Sequence, residues 1–117
     1  MAIVYKICER QAWLDAEAAG NFAGSAVDFA DGFIHLSAAD QVRETARRHF
    51  RTGDDLVLIA FDDSDIAGLR YEPSRDGALF PHVYGALETR LARRIDPLPR
   101  DHGGLLVFPS DVPGDPS

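Results

Sequence analysis

The chain has 117 residues, of which 45% are hydrophobic, and this fits one folded domain with its own core rather than a wholly disordered protein. Its formal net charge of −7 at pH 7 argues against binding nucleic acid through general attraction to phosphates. Neither a signal peptide nor an apolar run long enough for a membrane helix is visible, so we expect a cytoplasmic protein without membrane contact. Seven arginines nevertheless concentrate at residues 43–51 and 90–94.

Residues 3–8 predict the first strand because they are rich in β-branched and aromatic side chains. Cys8 ends this apolar run. As the single cysteine it cannot form an internal disulfide, and a buried thiol is a better interpretation than a nucleophile. Residues 9–19 predict a helix whose apolar stripe includes Trp13, and Gly20 ends it.

A capping-box pattern, Ser25 with Asp28, predicts a short helical turn at about residues 26–30. Residues 33–36 then predict the second strand, in which His35 lies between two apolar neighbours. A histidine in such a place is either hydrogen-bonded in the core or part of the floor of a ligand site.

The clearest helix is predicted over residues 38–52. Ser37 and Asp40 form a second capping signature at its start, and Gly53 ends it. The apolar face of this helix includes His49, which we expect to pack against the core.

The second half of the chain predicts short strands. A continuous apolar run at residues 56–61 is typical of a strand that is buried on both faces. Residues 69–72 predict the next strand, and residues 74–77 a turn. The segment 80–87 begins as a strand, and Pro81 indicates an edge strand or a strand start.

Residues 90–95 alternate charge and bulk, which predicts a half-exposed strand, and residues 104–108 predict one more. His102 is expected to be a loop residue. We predict one α+β domain over residues 1–108, with two principal helices and about six short strands, followed by a disordered tail at residues 109–117.

Side chains of mixed chemistry alternate along three of these strands. Because successive side chains of a strand point to opposite faces, two strands each present an aromatic ring, a histidine and a hydroxyl on one face. The two sets are Phe33, His35 and Ser37, and Phe80, His82 and Tyr84. On a third strand Arg70 and Glu72 share a face. If these faces converge, they form an aromatic-lined small-molecule pocket.

Each of these residues also has a purely structural interpretation. A lone histidine is more often hydrogen-bonded than functional, but the matched pattern favours a site that contains both His35 and His82. Ser37 is more readily a helix cap, which would still place an anion-attracting helix start beside His35. Glu72 is either a solvated strand residue or a catalytic one. A metal site of His35, His82 and Glu72 is disfavoured because the spacing matches no known close-set motif.

The order and spacing of several segments resemble a bacterial family known as domain of unknown function 952. The resemblance runs from Ile3 to about Ile95, and it is carried by IVYKI, Trp13, GSAVDFADGFIHLS, Gln41, LVLIAFD, RYE and FPHVYG. The family's known fold is similar to that of ADP-ribosyltransferases, which implies two small, mainly antiparallel sheets around a cleft. RNA 2′-phosphotransferases share that fold and carry a histidine–leucine–serine strand similar to FIHLS.

The resemblance implies a cleft that holds NAD or a related nucleotide. Its residues would be His35, His82 and Glu72 in catalytic roles, and Tyr5, Lys6, Ser37, Arg70, Phe80 and Tyr84 in ligand binding. This chain has Lys6 where related enzymes often carry histidine or arginine on the first strand.

The leading hypothesis is therefore a protein that binds a nucleotide or NAD-like ligand. If it is an enzyme, we expect a transferase or hydrolase that acts at a glycosidic or phosphate bond. The alternative is a non-enzymatic module that binds a small metabolite or a protein, with histidines that serve only the structure.

Overall fold

The computed structural model describes residues 2–74 and 77–113. Its helices are α1 (Arg10–Ala19), α2 (Ala26–Asp31) and α3 (Val42–His49). Its strands are β1 (Ile3–Glu9), β2 (Asn21–Phe22), β3 (Ile34–His35), β4 (Ser37–Ala38), β5 (Leu56–Asp62), β6 (Leu69–Pro73), β7 (Leu79–Val83), β8 (Leu87–Glu88) and β9 (Arg94–Leu98). None of the helices in these two ranges is long and apolar enough to cross a membrane.

The strands of the described residues form three sheets in which all pairs are antiparallel. The largest has the order β4-β1-β5-β9, the second has the order β3-β7-β6, and β2 pairs with β8. Antiparallel sheets with a few separate helices make this a mixed α+β domain, which confirms the predicted class.

β5 lies at the centre of the largest sheet, and all of its residues are buried, as the continuous apolar run predicts. Its neighbour β1 sends alternate side chains into two cores. Val4 and Cys8 pack in one core with Trp13 of α1, whereas Tyr5 and Ile7 pack in the other with α3. Alternation along β1 therefore gives the domain a core on each side of this sheet.

The cysteine and the first two helices agree with their predictions. Cys8 is buried, and this burial raises the pKa of its thiol to about 11. α1 buries Trp13 and Ala16 and ends at Gly20, whose φ of 89° is a left-handed conformation that glycine adopts without strain. The turn predicted after Ser25 is α2.

The strand predicted at residues 33–36 is divided between two sheets. His35 pairs with β7, whereas Ser37, two residues later, pairs with Tyr5 of β1. The chain thus crosses from one sheet to the other at Leu36. Local periodicity does not reveal such a crossing, because it depends on which strand each residue pairs with.

Ser37 is not the helix cap that its sequence context predicts. α3 begins only at Val42, and Gln41 occupies the N-cap position, with its Oε1 accepting the Ala38 N–H at 2.9 Å. Ser37 is instead buried, and its hydroxyl donates to Oγ1 of Thr45 at 2.9 Å. The helix starts later than predicted because residues 37 and 38 form β4 on the edge of β1.

The end of α3 also differs from the prediction. The helix ends at His49, so Gly53 lies in the following loop. His49 is exposed and does not pack against the core, because Val42 and Ala46 form the buried stripe of this short helix.

β7 is the central strand of its sheet and Pro81 is its third residue, so both predicted positions of this proline, in an edge strand or at a strand start, are wrong. The Tyr84 N–H donates to the Gly68 carbonyl, which indicates that alternate residues of this segment hydrogen-bond toward β6. Pro81 is out of phase with them, so its nitrogen faces β3. Pairing with β3 ends at His35, opposite His82, so the missing N–H is tolerated at the end of the ladder.

The prediction of a strand at residues 90–95 is partly wrong. A 3₁₀ turn, Thr89–Leu91, occupies its first part, and β9 starts only afterwards. Residues 104–108 do not form the predicted strand and contribute a single isolated bridge, between Leu106 and Arg100.

Packing continues beyond Phe108, where the sequence predicts a tail. Val112 is buried in the same core as α3, because it packs against the side of that helix. The remaining tail, residues 114–117, lies outside the described residues, as do Arg75 and Asp76 of the predicted turn.

Candidate functional site

His35 and His82 stand directly opposite each other. They are paired in register on β3 and β7, and their ring centroids are 5.6 Å apart. The ring of Phe33 lies against both, stacked on His82 at 4.0 Å and tilted on His35 at 4.6 Å. The two strands that alternation singled out therefore meet at one place in the fold.

Glu72 of β6 holds the ring of His82. Its Oε1 lies 2.9 Å from Nδ1 of His82 and accepts the hydroxyl hydrogen of Tyr84 at 2.7 Å. The bond from Tyr84, and then the bond from His82, lower the pKa of Glu72, so this carboxylate is ionised at neutral pH. The bond to Glu72 also raises the pKa of Tyr84, which stays protonated.

His35 has a carboxylate at each ring nitrogen. Nδ1 lies 2.7 Å from Oδ1 of Asp28, and Nε2 lies 2.8 Å from Oδ2 of Asp31. Both carboxylates belong to α2, so this short helix holds the ring from two sides. The imidazole of His35 is half-buried, whereas that of His82 is buried.

Asp28 connects α2 to two strands. It accepts hydrogen bonds from Nζ of Lys6 at 2.9 Å, from the N–H and hydroxyl of Ser25 at 2.8 and 3.1 Å, and from the N–H of His35 at 3.0 Å. Burial raises the pKa of Asp28, but the charge of Lys6 and these hydrogen bonds outweigh burial and lower it to about 2. Lys6 also donates to the carbonyl of His35 at 3.0 Å.

A groove of about 1010 Å³ runs beside the two histidines. This histidine groove is lined by β1, the crossing from β3 to β4, α2, the second half of α3, and β7, and it includes Lys6, Val27, His35, Thr45, Arg51 and His82. A second groove, of about 940 Å³, is lined by α3 and residues 100–112. It shares Arg47, Phe50 and Arg51 with the histidine groove but contains neither of these histidines.

The α3 side of the histidine groove is basic. Arg47 and Arg48 donate to Glu44 at 2.9 and 2.8 Å. Arg51 is exposed and has no ion-pair partner among the residues that the structure describes. A locally positive wall therefore exists in a protein whose net charge is negative.

Most of the predicted site residues line the histidine groove, namely Tyr5, Lys6, His35, Ser37, Phe80 and His82. The other three lie outside its lining. Glu72 and Tyr84 form the bonded group that holds His82, and the Arg70 guanidinium lies 5.7 Å from the centroid of the Tyr84 ring. Across the described ranges, no group of three or more His, Cys, Asp or Glu side chains could hold a metal ion.

Sequence reasoning did not identify Asp28 and Asp31 as site residues. The capping-box pattern identified Asp28 as a helix residue, but not as the partner of β1 and β3. The available signal was Lys6, a cation within an apolar strand, because a buried ammonium requires a buried anion.

The model of "Protein of unknown function (DUF952)" matches residues 7–94. The X-ray structure of protein CC0527 from Caulobacter crescentus is 45% identical, with a TM-score of 0.86 over 90% of this chain and 93% of that chain. The solution NMR structure of CC0527 is 46% identical, with a TM-score of 0.80 over 90% and 91%. No curated protein matches. The chain thus belongs to the DUF952 family, whose members are proteins of unknown function.

Proposed function

We propose that the histidine groove binds a nucleotide or an NAD-like ligand, in a fold similar to that of ADP-ribosyltransferases as the family resemblance implies. The observation that carries this proposal is the combination of arginines, an aromatic ring and histidines in one groove. Arginines suit phosphate oxygens, an aromatic ring suits a planar base, and His82, whose Nε2 has no hydrogen-bond partner among the described residues, can supply a directional hydrogen bond.

The arginines support a phosphate-bearing ligand. Arg47 and Arg48 lie in the last turn of α3, Arg51 follows two residues after its end, and all three line the histidine groove. Guanidinium groups bind phosphate oxygens through two parallel hydrogen bonds, which is a geometry that a lysine cannot offer. An acidic protein has little general attraction for anions, so a local basic wall favours one defined binding position.

The size of the groove supports a ligand of nucleotide size. Ligand sites for small molecules have volumes of roughly 300–1,000 Å³. At about 1010 Å³ the histidine groove lies at the upper end of this range. Phe80 and His82 line the β7 side of this groove, so an aromatic and an imidazole ring border the space for a base.

If the ligand is turned over, we infer transfer or hydrolysis at a glycosidic or phosphate bond. A non-enzymatic module is the second candidate, and His35 favours it. Both ring nitrogens of His35 are already bonded to Asp28 and Asp31, so this histidine serves the structure of α2. The module predicts binding without turnover.

Titration with NAD, ADP-ribose and mononucleotides tests the proposal by thermal shift. A ligand that binds only the native state stabilises it by about 2.7 kcal/mol at a concentration of 100 times Kd. The absence of stabilisation by all of these ligands at millimolar concentration would contradict the proposal.

The variant Arg51→Gln tests whether the groove binds the phosphate of the ligand. Loss of one charge-assisted hydrogen bond should weaken a phosphate-bearing ligand by about tenfold, measured by calorimetry, and should leave the affinity for adenosine unchanged. Arg90→Gln is the matched control, because Arg90 is an exposed arginine that lines neither groove.

A further inference from the structure

The two histidines of the groove differ at one ring atom. Nε2 of His35 is bonded to Asp31, whereas Nε2 of His82 has no hydrogen-bond partner among the described residues. Nδ1 of each ring is bonded to a carboxylate, Asp28 for His35 and Glu72 for His82. The difference at Nε2 decides which ring can bond to a ligand.

The hydrogen bonds around Glu72 determine the tautomer of His82. An ionised carboxylate can only accept hydrogen bonds, so in the contact of Glu72 with His82 the donor must be Nδ1–H. A neutral imidazole carries one hydrogen, so Nε2 of His82 then bears a lone pair. Its ring stacks on Phe33, which holds the orientation of this lone pair.

The same accounting assigns a different role to His35. Nδ1 is bonded to Asp28 and Nε2 to Asp31. Because both ring nitrogens are occupied, neither is left to bond to a ligand. His35 therefore contributes shape to the groove and holds α2.

We propose that His82 is the proton acceptor of the histidine groove, that it receives the hydrogen of an O–H group, and that Glu72 is the residue that positions it. This deepens the proposed function and rests on it. In a transfer or hydrolysis, the hydroxyl oxygen forms a bond to phosphorus or the anomeric carbon, its proton passes to Nε2, and the leaving group departs with the electron pair of the broken bond. The O–H group belongs to a ribose of the ligand or to water.

The tautomer of His82 can be measured without any ligand. Two-bond ¹⁵N–¹H correlations of the wild-type imidazole rings, recorded where His82 is neutral, should show the hydrogen on Nδ1 and none on Nε2. A hydrogen on Nε2 overturns the proposal. Glu72→Ala should remove the preference for Nδ1–H, whereas Glu88→Ala, an exposed carboxylate paired with Arg90, should preserve it.

Nucleotides that lack single hydroxyls distinguish the two sources of the O–H group. We expect calorimetry with AMP, 2′-deoxy-AMP and 3′-deoxy-AMP to show about a tenfold loss of affinity for one deoxy analogue, and a ribose donor is then identified. His82→Asn retains a donor toward Glu72 but lacks Nε2, so this discrimination should vanish. Discrimination that persists in His82→Asn overturns the proposal. Equal affinity for all three in the wild type excludes a ribose hydroxyl as the donor.

The two proposals fail in distinguishable ways. If none of the nucleotides binds, the proposed ligand class is wrong, while the tautomer of His82 still reports on the acceptor. If nucleotides bind but the hydrogen lies on Nε2, the ligand class stands and the role of His82 is wrong.

Discussion

Asp28 and Glu44 are carboxylates that each bind two basic side chains, but in different surroundings. The Asp28 side chain is 1% exposed and contacts Lys6 and His35, which lie on two different strands. The Glu44 side chain is 41% exposed and contacts Arg47 and Arg48 of its own helix. The first carboxylate therefore joins α2, β1 and β3, whereas the second joins neighbouring turns of α3.

This difference shows that the burial of a charged group, more than the number of its partners, decides how much the group contributes to the stability of the fold. Leaving a buried ion without its partner is costly, whereas an exposed pair on a helix contributes little because water solvates both members. We therefore assign Asp28 to the stability of the fold and Glu44 to the local charge of the histidine groove.

Removal of the Asp28 carboxylate should have the largest effect. Asp28→Ala leaves the buried Lys6 ammonium without its counter-ion, so we expect the free energy of unfolding to fall by about 3–5 kcal/mol in urea denaturation. Asp31→Ala removes a more exposed carboxylate from the same helix and is the control, with a much smaller loss expected. A loss below about 1 kcal/mol for Asp28→Ala would show that Asp28 does not anchor the fold.

Acidification should lower the free energy of unfolding by about 2 kcal/mol through the protonation of Asp28. Burial raises the pKa of Asp28, but Lys6 and hydrogen bonds lower it to about 2, below the value of about 3.9 in an unfolded chain. Because the folded-state pKa is the lower one, the contribution is present above about pH 4 and is lost as the pH falls toward 2.

This pH dependence is checked by measuring the free energy of unfolding from pH 6 to pH 2 in the wild type and in Asp28→Asn. The difference between the two curves isolates Asp28 from other carboxyl groups whose pKa values are lowered, such as Asp62 and Asp63. The curves should converge at low pH. Parallel curves would be evidence against a titration of Asp28 in this range.

Neutralising Glu44 should have the smallest effect. Glu44→Gln should leave the midpoint of urea unfolding unchanged, because its two ion pairs are exposed. It should strengthen the binding of a phosphate-bearing ligand by about twofold to threefold at low salt, because Arg47 and Arg48 lose a competing anion. Calorimetry at low and high salt measures this gain, and Glu88→Gln is the control. A large loss of stability would remove the contrast between Glu44 and Asp28.

Elements with local signals were predictable from the sequence. The apolar stripe of α1, the capping box of α2 and the unbroken apolar run of β5 each lie within their own element. The division of residues 33–38 between two sheets, and the central position of β7, depend on strand pairing between distant segments. Local sequence does not determine such pairing, so it predicts Ser37 as a cap and Pro81 as a residue of an edge strand or a strand start.

The residues of the candidate site were predictable from the sequence, but their hydrogen bonds were not. Alternation brought together His35, His82 and Glu72, because their strands are neighbours in one sheet. It did not show which ring nitrogens are occupied, because Asp28 and Asp31 come from a helix whose position only the folded chain determines. The sequence therefore identified both histidines but not the difference between them.

The buried thiol of Cys8 makes it a natural reporter of motion in this fold. With a pKa of about 11 it carries almost no thiolate at neutral pH, and its place on β1, opposite Val57 of β5, shields it from reagents. Alkylation of Cys8 therefore requires β1 to separate from its surroundings. The rate of this alkylation in native buffer would read the local opening of the largest sheet, with no label added to the protein.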